Sequence, residues 1–282
     1  MTAQEVVEQI RKNLGAPWRD QSCDIFHAGK PEDTVSGIVT TYAATFEVLR
    51  RAAAGGKNMI VSRESPFWDR GRPENTSGAG APPGRELMLN DPVYRAKKKY
   101  MDDHNLVVWR FYDHWAARKQ DGQLIGLAKA LGWEKYYQPS GEPWSAGSGN
   151  FVLPPATLRA AAKTIKARLA MRGMRVLGDP STKISKAALS HGLFLVPELK
   201  TILESDPDLI VVGEPVEWEA APYFQDAIAS GKKKGMIILG QEVSEEPGSG
   251  EVAAWLRSFL TGIPIEWIPA GEPVWMTTKE AK

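Results

Sequence analysis

Apolar residues recur at Val6, Val7, Ile10 and Leu14, the spacing of one helical face, so residues 3–14 read as an amphipathic helix that Gly15-Ala16-Pro17 ends. Residues 17–34 are polar and loop-like. A β-rich run over 36–41, a helical pattern over 44–54 stopped by Gly55-Gly56, and the apolar run Met59-Ile60-Val61-Ser62 follow in turn. Strand, helix and strand in that order predict an α/β layer fold with parallel strands. Residues 68–92, rich in Gly and Pro, predict a long surface loop of the kind that is often functional. A helix over 92–104 and a strand over 106–111 close the first half.

The stretch 138–155, with Pro, Gly and Ser throughout, predicts a hinge between halves. A second α/β series follows it. Helices are expected over 156–172, 195–205, 220–230 and 252–260. Strands are expected over 174–178, 186–189, 208–214, 236–240 and 265–268. The halves rhyme: Ala53-Ala54-Gly55-Gly56-Lys57-Asn58-Met59-Ile60-Val61 resembles Ala229-Ser230-Gly231-Lys232-Lys233-Lys234-Gly235-Met236-Ile237-Ile238, each a helix C-terminus, a Gly/Lys turn and an apolar strand, although helix–Gly–strand joints are alike in many proteins. The expectation is two similar α/β domains with mixed sheets and a cleft between them. Residues 1–140 form the first and 141–282 the second.

Composition narrows the function classes. A chain of 282 residues suits about two domains. The net charge of +1 gives no electrostatic case for nucleic acid or an anionic membrane. No apolar run approaches the ~18–20 residues of a membrane span, and the N-terminus does not read as a signal peptide, so a cytoplasmic location is expected. The single cysteine, Cys23, excludes an internal disulfide framework and a cysteine-cluster metal site. There are four histidines (His27, His104, His114, His191) and ten tryptophans. The tryptophans could line a sugar cleft, or serve as core and interface anchors.

Polar residues sit just past several expected strands: Arg63 and Glu64, Asp113 and His114, Glu214 and Glu217, then Gln241, Glu242, Glu245 and Glu246. Open α/β sheets bind ligands at the carboxyl ends of their strands. Acids converging there suit a hard divalent cation or acid–base work, or are merely solvated. Ser244-Glu245-Glu246-Pro247 also reads as a helix start, with Ser244 as its cap. In Trp109-Arg110-Phe111-Tyr112-Asp113-His114-Trp115, strand alternation would put Arg110, Tyr112 and His114 on one side and Asp113 with two rings on the other, where a carboxylate needs a partner. No Gly-rich phosphate loop follows a strand, and neither a Gly-x-Ser-x-Gly elbow nor a His-Glu-x-x-His motif is present.

With those residues in view, the chain resembles the Nif-three-like proteins (NGG-one-interacting factor three), the dinuclear metal-centre family also known as GTP cyclohydrolase I type 2. The carrying segments are 37–45, 59–68, 109–115, 176–180, 208–218, 239–246 and 268–275, which run in order through most of the chain. The resemblance implies two similar α/β domains, a metal site in the cleft between them, and often a ring-shaped hexamer. The family's ligands map onto Arg63 and Glu64, Asp113, and the pair Gln241 and Glu245.

Two departures stand out: Arg63 and Gln241 occupy positions where the resemblance implies histidine. Arginine is permanently cationic and glutamine offers a neutral carbonyl, so neither replaces a histidine ligand. Glu64, Asp113 and Glu245 remain as metal ligands for one divalent ion (Mg, Mn or Zn), or for none. Arg63 is then expected to pair with one of these acids and to supply the charge of the missing metal. The expected function is hydrolysis or ring opening of a small polar molecule, with Glu64, Arg63, Asp113 and Glu245 catalytic. Arg110, His114, Gln241 and Trp68 would contact substrate, and the 68–92 loop would be a lid. The alternative is a ligand-binding or scaffolding homo-oligomer that kept the fold and lost the chemistry.

Overall fold

The computed structural model describes residues 1–67, 89–141, 144 and 147–275. The chain divides into two compact units. The first joins Met1–Lys119 to Ser249–Ala270, and the second joins Gln120–Gly248 to Gly271–Lys282.

The first unit opens with α1 (Ala3–Asn13), fixed by a capping box in which Thr2 accepts from the Glu5 amide and the Glu5 side chain accepts from the Thr2 amide. Its sheet runs β1 (Phe26–Ala28), β4 (Val107–Arg110), β3 (Met59–Ser62), β2 (Ile38–Thr41), β13 (Ile265–Trp267). Every pairing is parallel except that of the edge strand β1. Parallel neighbours need crossovers, which α2 (Phe46–Ala54) and α3 (Pro92–Asp103) supply. The four residues of β2, β3 and β4 are all buried, as strands covered on both faces must be. Ile38, Met59, Val107 and Trp109 pack on one face with Val6 and Ile10 of α1, whereas Val39, Ile60 and Val108 pack on the other with Val48, Leu49 and Met101.

The second unit holds a mixed sheet in the order β5 (Tyr137–Gln138), β6 (Ser148–Thr157), β8 (Lys183–Ser190), β10 (Leu209–Val212), β12 (Gly235–Ile238), β7 (Arg175–Leu177). One face packs Leu189, Val211 and Ile237 against α4 (Gly122–Leu131) and α5 (Leu158–Arg168). The other packs Ala188, Ile210 and Met236 against α6 (Val196–Glu204) and α7 (Glu217–Ala229). A two-stranded parallel ribbon joins β9 (Leu193–Phe194) to β11 (Glu214–Pro215). The sequence rhyme falls on equivalent pieces: β2–α2–β3 and β10–α7–β12 are both parallel four-residue strand pairs joined by a helix.

Three expectations are corrected. The stretch 138–155 is no hinge, because it lies inside the second unit and most of it is β6. Its Pro154-Pro155 occupies the register shift between Val152 and Ala156, where the ladder is already interrupted and the missing N–H groups cost nothing. The expected helix start at Ser244 lies inside α8 (Gln241–Arg257), which begins after Gly240 and carries Pro247 within it. The expected strand 186–189 is the middle of an eight-residue strand. Most of the 68–92 segment, with Trp68, lies outside the described residues.

Candidate functional site

In the first unit the carboxyl ends of β3 and β4 carry the expected site residues. Arg63 and Glu64 continue past β3, their amides donating to the carbonyls of Thr41 and Tyr42 at 3.0 and 2.8 Å. The Arg63 guanidinium is ion-paired with the Glu64 carboxylate and lies 3.8 Å from the ring centre of Tyr112. Arg110, at the end of β4, is 5% exposed. Its Nη1 donates to Asp24 Oδ1 and to Asp113 Oδ1, each at 2.9 Å.

Asp24 organises the turn that follows. Its Oδ1 accepts from the amides of Tyr112 and Asp113 at 2.8 and 3.0 Å. Its Oδ2 accepts from the His114 amide at 2.9 Å and lies 2.6 Å from His114 Nδ1. On the other side of the ring, His114 Nε2 lies 3.0 Å from the Arg19 amide nitrogen and 3.2 Å from the Arg19 carbonyl oxygen. Trp18 stacks on the His114 ring at 3.8 Å. Asp113 Oδ2 accepts from the Cys23 amide at 2.8 Å. Partial burial would raise the Asp113 pKa, but the Cys23 amide and the Arg110 guanidinium outweigh it and hold it below the usual carboxylate range.

In the second unit the end of β8 carries His191. Its Nε2 lies 2.9 Å from Asp121 Oδ2 and its Nδ1 lies 3.1 Å from Glu245 Oε1. Asp121 caps α4, its Oδ1 accepting from the amides of Gln123 and Leu124 at 2.9 and 3.0 Å. Glu245 projects from α8 and is 1% exposed. Burial alone would depress the His191 pKa. The hydrogen bonds and negative charges of Asp121 and Glu245 overcome it and raise the imidazole to about 9. Asp121 is correspondingly held low, against its own burial.

Ser244 ties the same corner together. Its hydroxyl accepts from the Gly192 amide at 3.0 Å and donates to the Gln241 carbonyl at 2.8 Å. Gly213 leaves the room, since a Cβ there would come within 2.6 Å of the Ser244 hydroxyl and nearer still to the Gly192 backbone. Glu242, one turn before Glu245 and Glu246, is partly buried. That burial and the neighbouring charge of Glu272 push its carboxyl up to about 6.

No protein-family model and no curated protein matches this sequence. Solved structures do match in fold. Protein SA1388 of Staphylococcus aureus superposes with a TM-score of 0.70 at 15% identity, covering 99% of each chain. A Bacillus cereus protein related to NIF3 gives 0.68 at 12% identity over 98% of this chain and 99% of its own. TTHA1606 of Thermus thermophilus gives 0.64 at 19% identity over 98% and 100%. The chain has the fold of a NIF3-related protein.

On this NIF3-related fold each unit holds some of the expected site residues. Arg63 meets Glu64, and Arg110 meets Asp113, within the first unit. Glu245 meets His191 in the second, and Gln241, half-buried, begins α8. Arg110 and His114, expected to contact substrate, are buried and bonded to Asp24. The strand alternation expected beyond residue 110 does not hold. β4 ends there and the chain turns, which brings Asp113 onto Arg110. Trp109, Trp115 and Trp133 are core anchors.

A divalent ion does not fit these donors as they stand. Glu64, Asp113 and Glu245 each face a cationic or proton-bearing group of the same unit, and both imidazole nitrogens of His191 face carboxylates. Among the described residues no three His, Cys, Asp or Glu side chains are arranged to hold a metal. No described helix is long and apolar enough to cross a membrane.

Asp24, Asp121 and His191 were not singled out in the sequence. Asp121 had a readable signal, an Asp cap directly before the apolar run 124–131. His191 directly follows a strand that ends one residue beyond the expected 186–189. Asp24 sits in an irregular polar segment that carries no pattern.

Proposed function

We propose that this chain binds a small polar molecule on a NIF3-related scaffold without a dinuclear metal centre, protein cations taking the metal's place. The observation that carries the reading is the pairing of each expected ligand carboxylate inside its own unit: Glu64 with Arg63, Asp113 with Arg110, Glu245 with His191. A dication ~4 Å from the Arg63 guanidinium would be repelled by about 8 kcal/mol at an effective dielectric of ~20, which cancels the attraction of one carboxylate at that distance. Arg63, braced on Tyr112, is the group that would hold a carboxylate or oxyanion of the ligand.

A second reading adds turnover, by hydrolysis or ring opening. The partly buried Glu242 favours it: a carboxyl pushed up to about 6 at the carboxyl end of β12 is poised to exchange a proton near neutral pH. Glu64, Asp113 and Glu245 are tied to cations and suit charge placement better than proton transfer.

Metal analysis of the purified protein, followed by a thermal-shift screen of small carboxylates and phosphates, tests both readings. Substoichiometric metal, and a ligand shift that Arg63→Gln removes, are expected. Two tightly bound ions of Zn, Mn or Fe per chain would overturn the metal-free reading. Consumption of the shifting ligand, lost in Glu242→Gln, would select the enzyme reading over pure binding.

A further inference from the structure

The second unit carries a cavity of about 340 Å3 that shares no residue with the charge clusters above. It opens between α5, the bulge of β6 and the short 3-10 turn Glu134–Tyr136 that follows α4. Its walls are apolar and partly aromatic, formed by Trp133, Tyr136, Leu153 and Ile165 among others. Small residues leave the space open: Ala160, Ala161 and Thr164 of α5 line it, and Arg168 follows about one turn further along the same helix.

Two cations stand at this apolar space. Arg168 lies against the end of α4, its guanidinium carbon 3.7 Å from where a Gly132 Cβ would sit. Lys135 lies 5.0 Å from the Tyr136 ring centre. No acidic residue lines the cavity, and among the described residues neither cation has an ion-pair partner. A cavity of ~150 Å3 accommodates benzene, so this one has room for about two fused rings. An apolar slot with a few convergent polar groups is the usual form of a small-molecule site.

We propose that this cavity binds a small organic carboxylate with an aromatic or branched apolar body. The body fills the space between Trp133 and Ile165, and the carboxylate meets Arg168 and Lys135. Planar guanidinium suits a carboxylate, and among the described residues neither exposed cation gives up an ion pair to make the contact.

The probe is 2-naphthoate, followed by titration calorimetry on the full chain, with 2-naphthalenemethanol as the uncharged control. One naphthoate per chain is expected, with the alcohol at least ~10-fold weaker, the equivalent of one charge-assisted hydrogen bond. Lys135→Gln/Arg168→Gln should weaken naphthoate by about that factor and leave the alcohol unchanged. Thr164→Trp, at an exposed lining position, should fill the cavity and abolish both. The proposal is overturned if naphthoate does not bind saturably up to millimolar concentration, or if its affinity survives both variants, since the binding then lies elsewhere. Should Thr164→Trp unfold the chain, the double glutamine variant decides by itself, because both its side chains are exposed.

Discussion

His191 Nδ1 lies 3.1 Å from Glu245 Oε1, in a corner where only 1% of the Glu245 side chain and 10% of the His191 side chain meet solvent. Asp121 closes the other side of the ring at 2.9 Å. The arrangement makes the imidazole a buried cation that holds α4, β8 and α8 together.

The stability it confers should therefore depend on pH with a definite sign. The folded pKa of about 9 is above the ordinary ~6.5, so the contribution is complete below ~6.5 and is lost as the pH rises through about 9. Its full size is about 3 kcal/mol. Urea unfolding of the native chain and His191→Gln at pH 6, 7.5 and 9 reads it directly. The difference between them should shrink across that series, and a gap constant from pH 6 to 9 would contradict the assignment.

Asp24 serves the first unit as His191 serves the second. It accepts from Arg110, His114 and the amides that follow β4, with none of its side chain exposed. Removing the charge leaves Arg110 buried with less compensation. Asp24→Asn is expected to cost about 3–5 kcal/mol. A loss below ~1 kcal/mol in chemical denaturation would show that the turn does not need this acceptor.

Glu242 carries the opposite sign. A carboxyl raised to about 6 disfavours its own charged form in the folded state, so it costs stability once the pH exceeds the ordinary ~4.3 and in full above about 6. After allowance for its partial exposure, Glu242→Gln should stabilise the chain by about 1 kcal/mol at pH 7 and by nothing at pH ~4. Melting temperatures at the two pH values compare these directly, and equal shifts at both would rule out the charge explanation.

Gly126 in α4 meets the backbone of α8 without a side chain between them. A Cβ there would lie 2.5 Å from the Pro247 carbonyl oxygen, which belongs to backbone and cannot swing aside. Gly126→Ala is helix-favouring in isolation, yet it should destabilise the chain by about 2 kcal/mol through overpacking. A stabilised variant in a thermal melt would mean that the two helices can separate freely.

Much of the fold was legible because apolar periodicity is a local property. The runs Met59-Ile60-Val61 and Leu209-Ile210-Val211-Val212 read as buried strands, and they are. The helix–turn–strand rhyme marked two equivalent parallel crossovers. The prolines at 154 and 155 misled, because a bulge tolerates them inside a strand and local composition cannot distinguish a bulge from a hinge. Asp113 was expected to need a partner and has one. The partner came from its own turn, because β4 stops at Arg110 and the alternation ends with it.

The sequence by itself determined the α/β class and the substitution of Arg63 and Gln241 where the family resemblance implies histidine. Those are matters of residue type and spacing along the chain. Only the tertiary structure decided what the acids face. Asp24 reaches Arg110 across 86 residues, and Glu245 reaches His191 across 54. Whether a carboxylate stands open or is neutralised depends on groups within a few ångströms, and no local pattern encodes which distant segment folds onto it.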